Sequence, residues 1–221
     1  MSILKRAAAA LLATTAVVAV ASTAQAQEFK GIKAGDIVVR ARGVWVAPSE
    51  SGDVKAGGTN IGTVKVGNDF IPEVDATYFV TPNIGLNLIA GTSRHKVTAD
   101  TVLGPVNVGK VSLLPPVLTV TYHPLPNLQF SPYVGAGINY TIFYNEDAAG
   151  GVINSTNYKN RFGWALQAGA DFYLTDNLLL NIDVKKVFLK TDVNIGSAVG
   201  PLSSKVTLNP WLVGVGVGYK F

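Results

Sequence analysis

The sequence contains no cysteine and only two histidines among its 221 residues. Without thiols, a disulfide framework and a thiolate metal site are both excluded. His95 and His123 stand far apart, so no metal site is expected, and no cofactor. Charge is also scarce: Asp, Glu, Lys and Arg make up 14% of the chain. The net charge of +4 falls to +2 once Lys5 and Arg6 are set aside as part of a leader, so basicity gives no argument for nucleic acid. Beyond the first residues no apolar run approaches the roughly 18 needed for a membrane helix.

The leader itself is legible. Lys5 and Arg6 precede an apolar run from Ala7 to Ala21, broken only by Thr14 and Thr15, and Ala24-Gln25-Ala26 has the small-x-small cleavage pattern. Residues 1–26 are therefore expected to be a signal peptide, and 27–221 a single exported domain.

The remainder alternates with period 2 in eight segments. These are Asp36–Pro48, Asp69–Thr81, Asn83–Thr92, Leu113–His123, Phe130–Tyr144, Phe162–Leu174, Leu178–Lys190 and a last one ending at Phe221. In the fifth, Val134, Ala136, Ile138 and Tyr140 oppose Gly135, Gly137 and Asn139. The phase of the seventh slips at Lys185-Lys186, which suggests a bulge. Several polar faces carry ions in mid-strand: Arg40, Arg42, Glu73, Asp75, Asp171 and Asp183. Arg40 and Arg42 are expected to pair with Glu73 and Asp75 inside a barrel, because buried charges need partners. Alternation alone also fits a soluble barrel with its apolar face inward.

The connections favour a membrane. Three are short, around Pro82, from His123 to Gln129 and around Asp176. Four are long: Ser49–Asn68, Ser93–Ser112, Asn145–Arg161 and Thr191–Lys205. Short turns on one side and long loops on the other match an all-β, eight-stranded antiparallel transmembrane barrel with periplasmic turns and extracellular loops. Its edges must close, since an unpaired backbone group in hydrocarbon costs several kcal/mol. Aromatics near strand ends (Trp45, Tyr78, Tyr122, Tyr140, Phe172, Trp211, Tyr219) would form the interfacial girdles. Gly214-x-Gly216-x-Gly218 lies on alternating strand positions with no helix after it, so it is no nucleotide fingerprint. The last segment, closing on Phe221, resembles the terminal-strand signal read by the barrel assembly machinery, an expected partner alongside outer-membrane lipids.

Across most of its length the chain resembles the OmpW family. The residues that carry this are Asn83-Ile84-Gly85, Arg94-His95-Lys96, Leu114-Pro115-Pro116, the block Pro132–Thr141, Asn209-Pro210-Trp211 and Gly218-Tyr219-Lys220-Phe221. The resemblance implies an outer-membrane barrel with a narrow apolar constriction that binds or passes small hydrophobic solutes, with sideways release into the membrane. Ile89 and Phe162 match its gate positions. Ile89 has inward parity, which also fits simple interior packing, whereas the parity of Phe162 points to lipid. Pro115 and Pro116 interrupt the fourth segment, since proline removes ladder donors. The break is either a side opening or a bulge without function. Two other readings stand beside this one: a structural or adhesive barrel working through its loops, and a lipid-modifying enzyme. The enzyme would need His95 or His123, which are expected at opposite ends, His95 outside at the start of a loop.

Overall fold

The computed structural model describes residues 29–49, 51–56, 59–101, 104–151, 153–197 and 200–221; the leader assigned to residues 1–26 lies outside them. Fifteen strands follow one another: β1 (Ile37–Ala47), β2 (Ser51–Ala56), β3 (Thr59–Val66), β4 (Asp69–Thr81), β5 (Ile84–Gly91), β6 (Ser93–Thr101), β7 (Gly104–Leu114), β8 (Val117–Tyr122), β9 (Phe130–Ala148), β10 (Ile153–Tyr158), β11 (Arg161–Tyr173), β12 (Leu178–Phe188), β13 (Lys190–Ser197), β14 (Gly200–Thr207) and β15 (Trp211–Lys220).

They form two storeys. In the lower one, β9-β11-β12-β15-β1-β4-β5-β8 closes on itself through β8–β9, giving an eight-stranded antiparallel barrel. Its outer wall is apolar. Leu88, Leu118, Ile138, Ile182 and Val215 are about half exposed, and Trp45, Phe70, Trp164 and Trp211 rim the top. Along β4, Phe70 to Val80 covers about 33 Å at ~3.3 Å per residue, or roughly 25 Å of height at a tilt near 40°, the height of a membrane-facing band. Tight closure brings neighbouring backbones together at the inward glycines. A Cβ on Gly137 would lie 1.9 Å from Leu118 O, and one on Gly216 2.0 Å from Ala41 O.

The upper storey corrects the expectation of four long loops. Those ranges are mostly strand, in the order β10-β13-β14-β2-β3-β6-β7-β9. They alternate with the opposite polarity. Val54, Val64, Val97, Val193 and Val206 are buried inward, while Lys55, Lys65, Lys96 and Lys205 are exposed. Nor is there a bulge at Lys185-Lys186. Both residues pair in continuous register with β11 and β15. Lys185 points into the lumen, and Lys186 points outward, its Nζ 4.7 Å from the Trp211 ring centroid.

Candidate functional site

The lumen is built in three layers. The lowest is a stopper. The segment from Phe29 to Asp36 crosses the mouth, with Ile32 N donating to Pro126 O and Gly35 N to Phe79 O, both at 2.8 Å. Lys30 N donates to Asp176 Oδ1 at 2.9 Å, and Lys220 Nζ donates to Gly31 O at 2.7 Å and Asp176 Oδ1 at 3.2 Å. Ile32 packs among Val38, Phe79, Tyr173 and Leu179, and Phe29 stacks on Tyr173 at 4.3 Å. Gly31 takes φ +82°, a conformation that favours glycine, where the chain turns beneath the barrel.

The middle layer is charged, and it brings Arg40, Arg42, Glu73 and Asp75 together. Arg40 Nη1 donates to Asp75 Oδ1 at 2.8 Å, and its Nε and Nη2 form a fork onto Asp171 at 2.9 and 2.6 Å. Arg42 Nη1 donates to Glu73 Oε1 at 2.8 Å. It also lies 2.6 Å from Asp75 Oδ2, an ion contact without hydrogen-bond alignment. Sequence reasoning missed Lys185, whose Nζ donates to Glu73 Oε1 at 2.7 Å and Asp183 Oδ1 at 2.8 Å. Parity in the sequence sets Lys185 on the polar face with Asn181 and Asp183, but the expected ion network left it out. Tyr133 OH and Gln167 Nε2 each donate to Asp183 Oδ2 at 2.7 Å.

The top layer is an apolar cup at the junction of the storeys. Its cavity measures about 90 Å³ open to the centre of a water-sized sphere. At ~10–15 Å³ per water that is room for roughly six to nine water-sized groups. Val46, Ile71, Ile89, Val187 and Leu212 line it from below, and Val97, Val111, Phe143, Val193 and Val206 from above. Ile89 is 2% exposed and pairs in register with Asp75, so it sits where the charged layer ends and the cup begins. Phe162 does not take part. It is 74% exposed on the outer wall, its ring 4.6 Å from that of Tyr140. The period-2 parity of β11 holds there and turns it outward, so the carry-over of a gate role to Phe162 fails.

Pro115 and Pro116 lie between β7 and β8, and Pro115 lines the cup. The ladder of β5 with β8 ends at Ile89↔Val117, and that of β6 with β7 begins at Ser93↔Leu113. Between them, Ala90–Thr92 face Leu114–Pro116 without a register pair among the described residues. The other flank stays attached, since Tyr140 N donates to Pro116 O at 3.1 Å. Across the gap the Thr92 hydroxyl donates to Leu113 O at 3.2 Å, and it meets the Tyr144 hydroxyl. At cup height this seam thus lacks ladder pairs among the described residues and is bridged by the Thr92 side chain.

His95 is not outside. It is 5% exposed and points into the cup, because β6 keeps the odd-inward parity of β5. Its Nε2 lies 3.0 Å from Ser93 Oγ and its Nδ1 2.8 Å from Gly67 O. His123 is at the other end of the lumen, beside Thr121, Ser131, Phe79 and Tyr133.

The profile described as the OmpW family matches residues 33–221. Over 184 residues the chain is 41% identical to the uncharacterized outer-membrane protein y4mB of Sinorhizobium fredii, covering 83% of this chain and 79% of that protein. It is 37% identical over 154 residues to the dibenzothiophene metabolism operon protein PahQ of Pseudomonas aeruginosa, covering 66% and 69%. The crystal structure of the outer membrane protein OprG from Pseudomonas aeruginosa superposes with a TM-score of 0.83 at 29% identity, over 87% of this chain and 99% of that one. With a closed barrel, an apolar outer band and these relatives, this chain is an integral outer-membrane protein and belongs to the OmpW family.

Proposed function

We propose that the cup receives small hydrophobic molecules from outside and releases them sideways into the membrane through the seam at Pro115 and Pro116. The observation that carries this reading is an apolar cavity whose floor is ionic and whose wall, where Pro115 and Pro116 interrupt the sheet, has no ladder pair between Ala90–Thr92 and Leu114–Pro116 among the described residues. A neutral solute crossing the charged layer would lose apolar contact and disrupt a paired network, which is costly. Leaving through the seam exchanges one apolar environment for another. The layer holds three cations (Arg40, Arg42, Lys185) against four carboxylates (Glu73, Asp75, Asp171, Asp183), so its formal charge also opposes anionic cargo. The stopper below argues against straight passage. The name of the relative PahQ supports an aromatic, sulfur- or carbon-ringed cargo. Among the described residues His95 has a carbonyl and a hydroxyl as partners and no carboxylate, which favours passage over hydrolysis. In the same reading the barrel assembly machinery recognises β15 up to Phe221.

The test is uptake of a neutral aromatic solute by cells carrying the protein. Ile89→Lys puts an ammonium at the cup floor beside Asp75, and uptake is expected to fall about tenfold or more. Pro115→Ala with Pro116→Ala restores two ladder donors and should slow uptake while leaving solute binding in place. Unchanged uptake in both, with normal heat-modifiable gel migration, would overturn the proposal.

A further inference from the structure

The outer face of the upper storey is not evenly charged. A cleft of about 510 Å³ runs across β2, β14, β13 and the end of β10. Lys55, Lys159 and Lys205 line it together with Asp53, Asp192 and the polar Asn194 and Ser203. The register sets Asp192, Lys205 and Asp53 in one cross-strand row, with Asn194, Ser203 and Lys55 in the row above. Arg161 pairs with Asp192, and Lys190 stands two residues below it on β13. Five cations thus face two carboxylates. Among the described residues, the ion pairs of this storey are Lys65–Asp100, Arg94–Asp147 and Arg161–Asp192, so the four lysines of this face are held by none. Such a surplus favours an anionic partner.

Height identifies which one. Phe188, stacked on Trp164, marks the edge of the apolar band. Lys190 lies two residues beyond it, about 5 Å higher, and Lys205, in register with Asp192, lies four residues beyond it, roughly 10 Å higher, at ~3.3 Å per residue and a 40° tilt. A phospholipid head layer is only ~5–7 Å deep on each side. Lys190 and Arg161 fall within that depth, but Lys55, Lys159 and Lys205 rise above it. The head they fit is therefore tall, carries phosphate and presents hydroxyls to Asn194 and Ser203. Directly beneath, Trp164, Phe188 and Trp211 offer an aromatic surface to acyl chains.

We infer that this cleft docks a phosphorylated glycolipid of the outer leaflet, its sugar-phosphate head in the cleft and its acyl chains on the aromatic rim. The face lies around the barrel from the seam, so the lipid is a fixed neighbour of the wall rather than cargo.

The experiment uses the folded full barrel in detergent, and native mass spectrometry with three probes. These are a bisphosphorylated lipid A bearing inner-core sugars, the same glycolipid after phosphatase treatment, and phosphatidylglycerol. The first should be retained most strongly. The triple variant Lys55→Gln, Lys159→Gln, Lys205→Gln should weaken its retention about 150-fold, equivalent to ~3 kcal/mol, and leave phosphatidylglycerol unchanged. The control triple Lys65→Gln, Lys96→Gln, Lys110→Gln, outside the cleft on β3, β6 and β7, should weaken it far less. Equal retention of the phosphatase-treated lipid, equal effects of the two triples, or displacement by millimolar inorganic phosphate alone would overturn the assignment. Heat-modifiable migration of each variant separates loss of binding from loss of fold.

Discussion

The two storeys are inside-out versions of each other. Below the junction the wall is apolar outward and charged inward; above it, lysines face outward and valines inward. On several strands the inward parity runs through unbroken. Odd positions face the lumen from Leu179 to Ile195, passing from Asn181, Asp183 and Lys185 to Val187, Leu189 and Val193. The backbone therefore did not turn over; its surroundings changed. A strand in lipid has its apolar face outward, and the same strand in water must hide it. The cup is the level at which both needs are met by apolar side chains, which is why an apolar cavity forms at the junction.

The largest effect should come from opening the charged layer. Asp171 is fully buried, and Arg40 forks onto it. Asp171→Ala leaves two guanidinium nitrogens without an acceptor, and breaking a buried pair on one side costs ~3–5 kcal/mol. Urea unfolding of the barrel from detergent or liposomes should show a loss of this size, with the slope unchanged. If the loss is under about 1 kcal/mol, water reaches this layer and the two lumens differ less than their side chains suggest.

The outer faces give a second, smaller contrast. Leu118 is half exposed in mid-band, in register with Leu88 and Ile138. Leu118→Arg should destabilise the barrel by ~2–4 kcal/mol, the cost of a cation at the midplane. The reciprocal change in the upper storey, Lys96→Leu, should stay within about 0.5 kcal/mol. It also removes a like charge directly opposite Lys110. Equal effects at the two sites would mean that the apolar band extends over both storeys.

This inversion also explains what was legible in the sequence. The eight lower segments stood out because aromatic and aliphatic residues alternate with Gly, Asn and buried ions over ten or more residues. The ion pairs of Arg40 and Arg42 followed from parity alone. The upper strands carry the same period in a weaker form. Val64-Lys65-Val66 and Val193-Asn194-Ile195 alternate, but over short stretches with Gly and Thr between them, and the apolar set changes sides relative to the solvent. Read against a lipid-facing template, they look like loops. The same template made Lys185-Lys186 look like a slip, although one lysine serves the lumen and the other a tryptophan outside. Ile89 could be placed inward by parity. That it marks a boundary between layers depends on residues from six other strands, and no local pattern encodes that.

The smallest expected effect lies at the lower rim, where a carboxylate works at the edge of water instead of inside the network. Asp176 sits in the turn between β11 and β12 and clasps the stopper. Burial raises its pKa, but hydrogen bonds from Lys30 N and Lys220 Nζ outweigh this and hold it below the usual carboxylate value. A depressed folded value means that the clasp contributes fully above the unfolded pKa of about 3.9 and fades as pH falls through the folded one. Amide exchange at Lys30 and Ile32 should therefore show no opening beyond the intrinsic rate change between about pH 5 and 8, and excess opening only in stronger acid. Asp176→Asn should bring the acid behaviour to neutral pH, with faster exchange at both amides and little change in the cup. Exchange that quickens in step at Ile89 would mean the stopper and the cup open together, and the layers would then be one cooperative unit.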